Sequence, residues 1–365
     1  MARKLTAMER DQIQRSCTRV FGHALRTVRE RLLEIADAAD PHAYPDRYGE
    51  GDLLASFERQ IAELLGKEAA VFMPSGTMAQ QIALRIHCDR RARNAVALHP
   101  QSHLFVSEAD AFQTLHPLHG IATGDRNALF GAADLEKIAE PLGAVLLELP
   151  ERNIGGALRP WDEIEAIAEF ARTNGAALHM DGARLWESQP YYAKPMANIA
   201  APFETVYVSF YKVLGAIAGA ALAGSAEVIK EARQWQWRHG GRLVQQYPMI
   251  VSAQAGLRRY LPRVAKYCEK ARAIAEILGT LRDVVVTPNP PPTNMMHVHV
   301  RGDLERLDGA ALRVAEASKV WLTGVWRRTE NPAWQMFEIH CGEGSLAIGD
   351  AEVRELYSRI LDEAR

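Results

Sequence analysis

Between residues 52 and 210 the sequence keeps switching between two hydrophobic periods, and this switching leaves few folds open. Leu54, Phe57, Ile61, Leu64 and Leu65 fall on one helical face after Asp52, an expected N-cap, and Gly66 follows as a stop. "AAVFM" (69–73) is then continuously apolar, and "PSGTMAQQIALRIH" (74–87) reads as a turn opening a second helix. The alternation returns in "AVALHP" (95–100), "AVLLELP" (144–150), "WDEIEAIAEFARTNG" (161–175), "AALHMDG" (176–182) and "TVYVSF" (205–210). Apolar strands separated by helices of this length predict an α/β domain, with a mostly parallel sheet covered on both faces.

After about residue 275 the texture changes. "DVVVTPNPPPTNMMHVHVRG" (283–302), the helical "LERLDGAALRVAEAS" (304–318) and "WQMFEIHCGEG" (334–344) suggest a smaller α+β domain, with prolines 290–292 as a rigid turn inside it. The expected organisation is an N-terminal helical arm (1–45), a large domain (46–275) and a small C-terminal domain (276–365).

Charge excludes some partners. The chain has 45 acidic and 43 basic residues, a net −2, which leaves no electrostatic footprint for nucleic acid or an anionic membrane. The start lacks the apolar core of a secretory signal, and the small-apolar run 213–224 is too short to span a bilayer, so a cytoplasmic location is expected. Cys17, Cys88, Cys268 and Cys341 are scattered without a C-x-x-C pair, which argues against a disulfide framework or a thiolate zinc site.

Chemistry gathers around "VSFYKVLGAIAGAALAG" (208–224), where Lys212 follows a β-like run and faces a Gly/Ala-rich tail. A partly desolvated lysine loses proton affinity and becomes an amine nucleophile able to form a Schiff base; a lysine that snorkels to solvent is the bland alternative. "AALHMDGARLW" ends a strand at Asp181, and ligands of open α/β sheets bind beyond such strand ends. A buried aspartate there suits a protonated pyridine nitrogen, the electron-sink arrangement of pyridoxal phosphate (PLP), or serves as a structural partner of Arg184. Gly76 and Thr77 offer backbone N–H groups and a hydroxyl at a helix mouth, where a phosphate or simple capping would fit. His103 in "HPQSHLFVSEAD" can stack on an aromatic ring and exchange a proton near neutral pH.

Taken together, "YGEGD", "ELLGKEAAVFMPSGTMAQQIAL", "HMDGARLW" and "SFYKVLGA" identify a resemblance to the threonine aldolase and β-eliminating lyase group of fold-type-I PLP enzymes, covering roughly residues 45–260. The resemblance implies that Lys212 holds the cofactor covalently, Asp181 pairs with the pyridine nitrogen, His103 stacks on the ring, Ser75, Gly76 and Thr77 bind phosphate, and Arg184 contacts the cofactor or the substrate carboxylate. It further implies a homodimer or homotetramer with sites at the dimer interface, where Arg238 or Arg242 from "RQWQWRHGGRLVQQYP" would reach across; Trp235 and Trp237 in the same segment read, as large aromatics, as packing residues.

Substrate-side positions depart from the family. Ser16 in "RSCTRVF" is the nearest counterpart of a carboxylate-clamping serine, and Arg152 in "ELPERNIGG" stands where the family has a histidine facing the substrate hydroxyl. An arginine is charged at any useful pH and acts by binding an anion or polarising an oxygen, not as a base. Tyr211 replaces a small residue before the lysine, and Met336 stands in place of a carboxylate-binding arginine for which Arg327 or Arg328 could substitute. The implied reaction is Cα–Cβ cleavage of a threonine-like β-hydroxy-α-amino acid to glycine and an aldehyde. Two alternatives accompany it. One is α,β-elimination to ammonia and a 2-oxo acid on the same cofactor. The other is a metal-dependent hydrolase using His297 and His299, His179 and Asp181, or His99 and His103, although zinc prefers three or four converging ligands.

Overall fold

The computed structural model describes residues 7–365. Residues 29–153 and 158–262 form one compact unit; the described residues up to 28, residues 154–157 and residues 263–365 form the other. Residues 1–6 of the expected N-terminal arm lie outside the described residues, and the rest of it carries the helices Ala7–Ser16 and Val28–Ala38.

The first unit is built on seven strands: β1 Ala69–Met73, β2 Ala95–Leu98, β3 His119–Ala122, β4 Leu142–Glu148, β5 Ala177–Gly182, β6 Thr205–Ser209 and β7 Ala220–Gly224. They form one sheet in the order β1-β7-β6-β5-β4-β2-β3. Neighbours are parallel except around β7, which runs against both β1 and β6. The mostly parallel sheet matches the expectation. β7 itself, within the Gly/Ala tail after Lys212, was not foreseen as a strand, since alanine and glycine carry little strand signal. Tertiary packing decides here: Ala220 and Leu222 are buried among Val71, Ile82 and Ile86.

Helix α1, Asp52–Leu65, buries Leu54, Phe57, Ile61 and Leu65, and Gly66 closes it in the left-handed conformation at φ 61°. Its N-cap is Gly51; Asp52 is the first residue inside, where its carboxylate faces the positive end of the helix dipole. Helix α2, Gly76–Arg91, begins with Ser75, whose hydroxyl accepts from the Met78 N–H. Ile82 and Ile86 pack with Val71, Tyr207, Leu222 and Ile229, while Leu84 meets Val96, Leu98 and Leu146. Each such aliphatic side chain contributes about 1.5–3 kcal/mol by leaving water, enough to fix where the mouth of α2 sits. Gly76 is required at that mouth, because a Cβ there would overlap the Tyr207 hydroxyl. The unit continues through α3 His103–Val106, α4 Trp161–Asn174, α5 Leu185–Tyr192, α6 Ala226–Arg238 and α7 Tyr247–Tyr260.

In the second unit β8 Val284–Thr287, β9 Met295–Arg301, β10 Arg327–Arg328 and β11 Trp334–His340 form an antiparallel sheet in the order β10-β11-β9-β8. It is accompanied by α8 Val264–Gly279, α9 Leu304–Ser318 and α10 Asp350–Ala364. This is the α+β composition read from the sequence. The prolines 290–292 occupy the connection between β8 and β9.

Candidate active site

The parallel strands deliver side chains to one edge of the sheet. Asp181 lies at the end of β5, and Glu148 at the end of β4 sits beside it in register. Lys212 follows β6 by three residues, His103 opens α3 just beyond β2, and Thr77 is at the mouth of α2. These five, with Arg152 and Arg184, line one cleft. A separate hollow lined by Arg31, Ile35, Gly215, Ser252 and Arg259 contains no lysine, histidine or cysteine.

Burial, and then the Arg184 and Arg152 charges, lower the Lys212 amine to about 8. The effect is the one that turns a lysine into a usable nucleophile near neutral pH. Asp181 moves the other way, to about 8, because it is buried and faces Glu148. Its Oδ1 accepts from the Ala183 N–H at 2.9 Å, and its Oδ2 accepts from the Gln80 amide. His103 Nδ1 lies 2.9 Å from Glu108, a hydrogen bond that raises the imidazole above its ordinary value. Glu148 accepts from the Ser102 hydroxyl at 2.8 Å and the His103 N–H at 2.6 Å, and so holds the turn that presents His103. Beneath Arg184, Glu187 is buried 3.6 Å from the guanidinium, and burial carries it up to about 7.

The structure thus brings Thr77, His103, Arg152, Asp181, Arg184 and Lys212 into one cleft. Ser75 and Gly76 stand at the helix mouth beside it but are not lining residues, and the Ser75 hydroxyl is engaged as the cap. Ser16, donating to the Ile13 carbonyl at 2.8 Å, and Arg328, exposed on β10, belong to the other compact unit, and neither lines this cleft. Tyr211 lines the cleft with its hydroxyl 3.5 Å from that of Tyr207, at the position where the family has a small residue. Trp235 packs on the core as expected, whereas Trp237 is 65% exposed beneath the Arg242 guanidinium. Arg242 also reaches Glu50 of its own chain at 2.9 Å.

Glu108, Glu148 and Gln80 were not singled out from the sequence. Glu148 carries the same signal as Asp181, an acidic residue ending an apolar strand, and the strand-end rule applied twice would have found it. Among the described residues no group of three His, Cys, Asp or Glu side chains is placed to hold a metal ion.

The cleft's chemistry fits PLP. Asp181 is a buried acid whose neighbours add negative charge, which calls for a cationic N–H; Thr77 sits at a helix N-terminus suited to phosphate; Lys212 is a depressed amine within the same walls. A mostly parallel sheet with these groups at its strand ends and a small α+β unit defines a fold-type-I PLP enzyme. Residues 36–302 match the family model described as β-eliminating lyase. The chain belongs to the β-eliminating lyase family. It is 31% identical over 268 residues to low-specificity L-threonine aldolase 1 of Arabidopsis thaliana, covering 70% of this chain and 74% of the relative. The low specificity L-threonine aldolase of Escherichia coli (strain K12) is 28% identical over 264 residues, covering 70% and 77%. A Listeria monocytogenes EGD-E structure assigned as an L-allo-threonine aldolase superposes with a TM-score of 0.92 at 36% identity, over 97% of this chain and 99% of that one. A threonine aldolase structure from Leishmania major shares the fold, with a TM-score of 0.73 at 16% identity over 95% and 99% of the two chains.

Proposed function

We propose that this protein is a PLP-dependent carbon-carbon lyase that cleaves a β-hydroxy-α-amino acid of the threonine or allo-threonine type to glycine and an aldehyde. The observation that carries the reading is the convergence of Lys212, Asp181, His103, Thr77 and Arg184 in one cleft of a β-eliminating lyase family chain. Lys212 would be the attachment point of the cofactor, Asp181 the partner of its ring nitrogen, His103 the stacking group, and Ser75, Gly76 and Thr77 the phosphate end, with Tyr211 beside them. When bound, PLP supplies a carbonyl that captures the substrate amine and a ring that accepts the electron pair left at Cα.

The chain's own residues would do the rest. Arg184, steadied by Glu187, and Arg152 are the cations available to a substrate carboxylate in this cleft. His103 on Glu108 is the proton acceptor for the β-hydroxyl, with a free Nε2 when Nδ1–H bonds the carboxylate. As the Cα–Cβ bond breaks, its pair stays with Cα, the carbonyl forms at Cβ, and a proton returned to Cα from the Lys212 ammonium completes glycine.

The reading includes a cytoplasmic enzyme acting as a homodimer or homotetramer. Leu32, Tyr44, Trp237 and Val244 expose large apolar surface, which favours a partner copy, and no helix of the described residues is long and apolar enough to cross a membrane. The test is product analysis with L-threonine and L-allo-threonine. Glycine and acetaldehyde in equal amounts support the proposal. Ammonia and a 2-oxo acid without glycine replace it with α,β-elimination.

A further inference from the structure

Behind Asp181 a line of hydrogen bonds runs through the interior, away from the cleft. Gln80, one turn into α2 from the helix mouth, gives its amide N–H to Asp181. The Gln80 carbonyl oxygen is 2.6 Å from Nε2 of His179, which shares a face of β5 with Asp181. His179 Nδ1 is 2.7 Å from the Thr205 hydroxyl, on the strand position paired with it in β6. The same hydroxyl oxygen is 2.7 Å from Nε2 of His87, two turns further along α2. His87, His179 and Thr205 are all fully buried and Gln80 is 1% exposed, so no water competes for these bonds.

An ionised carboxylate can only accept, and that single fact orients every member. Gln80 must turn its NH2 to Asp181 and its oxygen to His179. His179 must then carry its proton on Nε2 and leave Nδ1 bare. The Thr205 hydroxyl donates to that bare nitrogen, and its oxygen receives the His87 Nε2–H. His87 Nδ1 is left without a hydrogen bond, 3.7 Å from Glu204, whose other oxygen is paired with Arg91 at 2.6 Å. Both imidazoles are kept neutral by burial, His179 down to about 3, which is the one-proton form that the chain of bonds requires. A hydrogen bond from the Gln80 N–H is stronger to a charged carboxylate than to a neutral acid, so the line in this orientation favours the carboxylate.

We infer that Gln80, His179, Thr205 and His87 are positioning residues: a one-way donor line that holds Asp181 ionised for the cofactor's ring nitrogen. The inference rests on the PLP reading above. It opposes the two influences that push the proton onto Asp181, burial and the neighbouring Glu148 with Glu108 behind it. His103 and Lys212 face Asp181 and favour its charged form, and Tyr207 and Tyr211 face it as phenols.

The experiment is the dissociation constant of pyridoxamine 5′-phosphate as a function of pH, followed by tryptophan fluorescence. This probe has the ring and the phosphate but no aldehyde, so Lys212 cannot bond to it and activity plays no part. In wild type, binding weakens as pH falls through the Asp181 titration. In Gln80→Leu that inflection is expected to move upward by about one to two pH units, the size of a lost hydrogen bond to a charged group. Thr205→Val, a same-shape change two links away, is expected to move it in the same direction by less, and Thr205→Ser is expected to keep the wild-type curve. A folded wild type that binds no probe at any pH overturns the PLP reading itself. Wild-type binding with superimposable curves for Gln80→Leu and Thr205→Val overturns the donor line alone; a weaker but unshifted curve does the same, because it is what a merely structural role produces.

Discussion

Two strands of this molecule carry a histidine followed two residues later by another ligating side chain: β5 with His179 and Asp181, and β9 with His297 and His299. The spacing puts both members of each pair on one face of its strand. Their surroundings differ. The β5 pair lies at the carboxyl end of a parallel strand against a buried helix, where Asp181 meets the cleft and His179 meets Gln80. The β9 pair lies in the middle of an antiparallel strand, its rings 6.4 Å apart, opposite Glu338 and Met336 of β11. His297 Nε2 is 3.9 Å from the Glu338 carboxylate, and His299 is lowered by burial. Spacing alone sets the face; place in the sheet decides whether that face meets a ligand.

The sharpest way to break this comparison is to remove the amine at the favoured end. Lys212→Ala is expected to lower glycine production by about 10³-fold or more, as loss of the nucleophile does in enzymes whose groups act as a unit. A residual rate within tenfold of wild type would mean that the cleft is not where the chemistry occurs. Arg184→Gln comes next, with KM for the amino acid expected to rise by about 10- to 100-fold through loss of a charge-assisted contact. Steady-state kinetics with unchanged KM would remove Arg184 from substrate binding.

The Lys212 amine also makes a pH statement. A group titrating at about 8 is mostly ammonium at pH 7 and mostly free amine at pH 9. The rate of PLP capture by apoenzyme, read by stopped-flow absorbance, is therefore expected to rise about tenfold between those values and then level off. An unperturbed lysine would continue to gain up to about pH 10.4. Arg152 is one of the charges lowering Lys212, so Arg152→Gln should move the inflection to higher pH. The smallest effect is expected at the other strand: His299→Gln should change kcat/KM less than about twofold, as substitutions away from a site do. A large loss there, or loss of activity on chelation, would revive a metal role for the β9 pair.

Much of this was legible in the residues because strand ends are legible. Asp181, Lys212 and His103 each follow an apolar run that stops abruptly, and Thr77 follows a proline-serine-glycine turn; both patterns survive without tertiary information. What could not be read has a common physical cause. β7 is alanine and glycine, a composition whose strand character comes from its neighbours β1 and β6. Gln80 sits inside a helix, where a glutamine ordinarily faces solvent, and only the burial of the continuous stretch Ala79–Leu84 of α2 makes it a hydrogen-bond donor to Asp181. Glu108 is remote in sequence from the strand ends and enters through its hydrogen bond to His103. The substrate-side positions Ser16 and Arg328 were placed by likeness of sequence alone, and they fall in the compact unit that does not hold the cleft.

The central claim, that Lys212 and Asp181 form one PLP site, is tested most directly by the visible absorption spectrum of purified protein reconstituted with PLP, wild type beside Lys212→Ala. The account requires a yellow band in wild type that is lost or altered in the variant and that changes on addition of L-threonine or L-allo-threonine. A folded wild type that stays colourless after incubation with PLP, or a band identical in the two proteins, would contradict it.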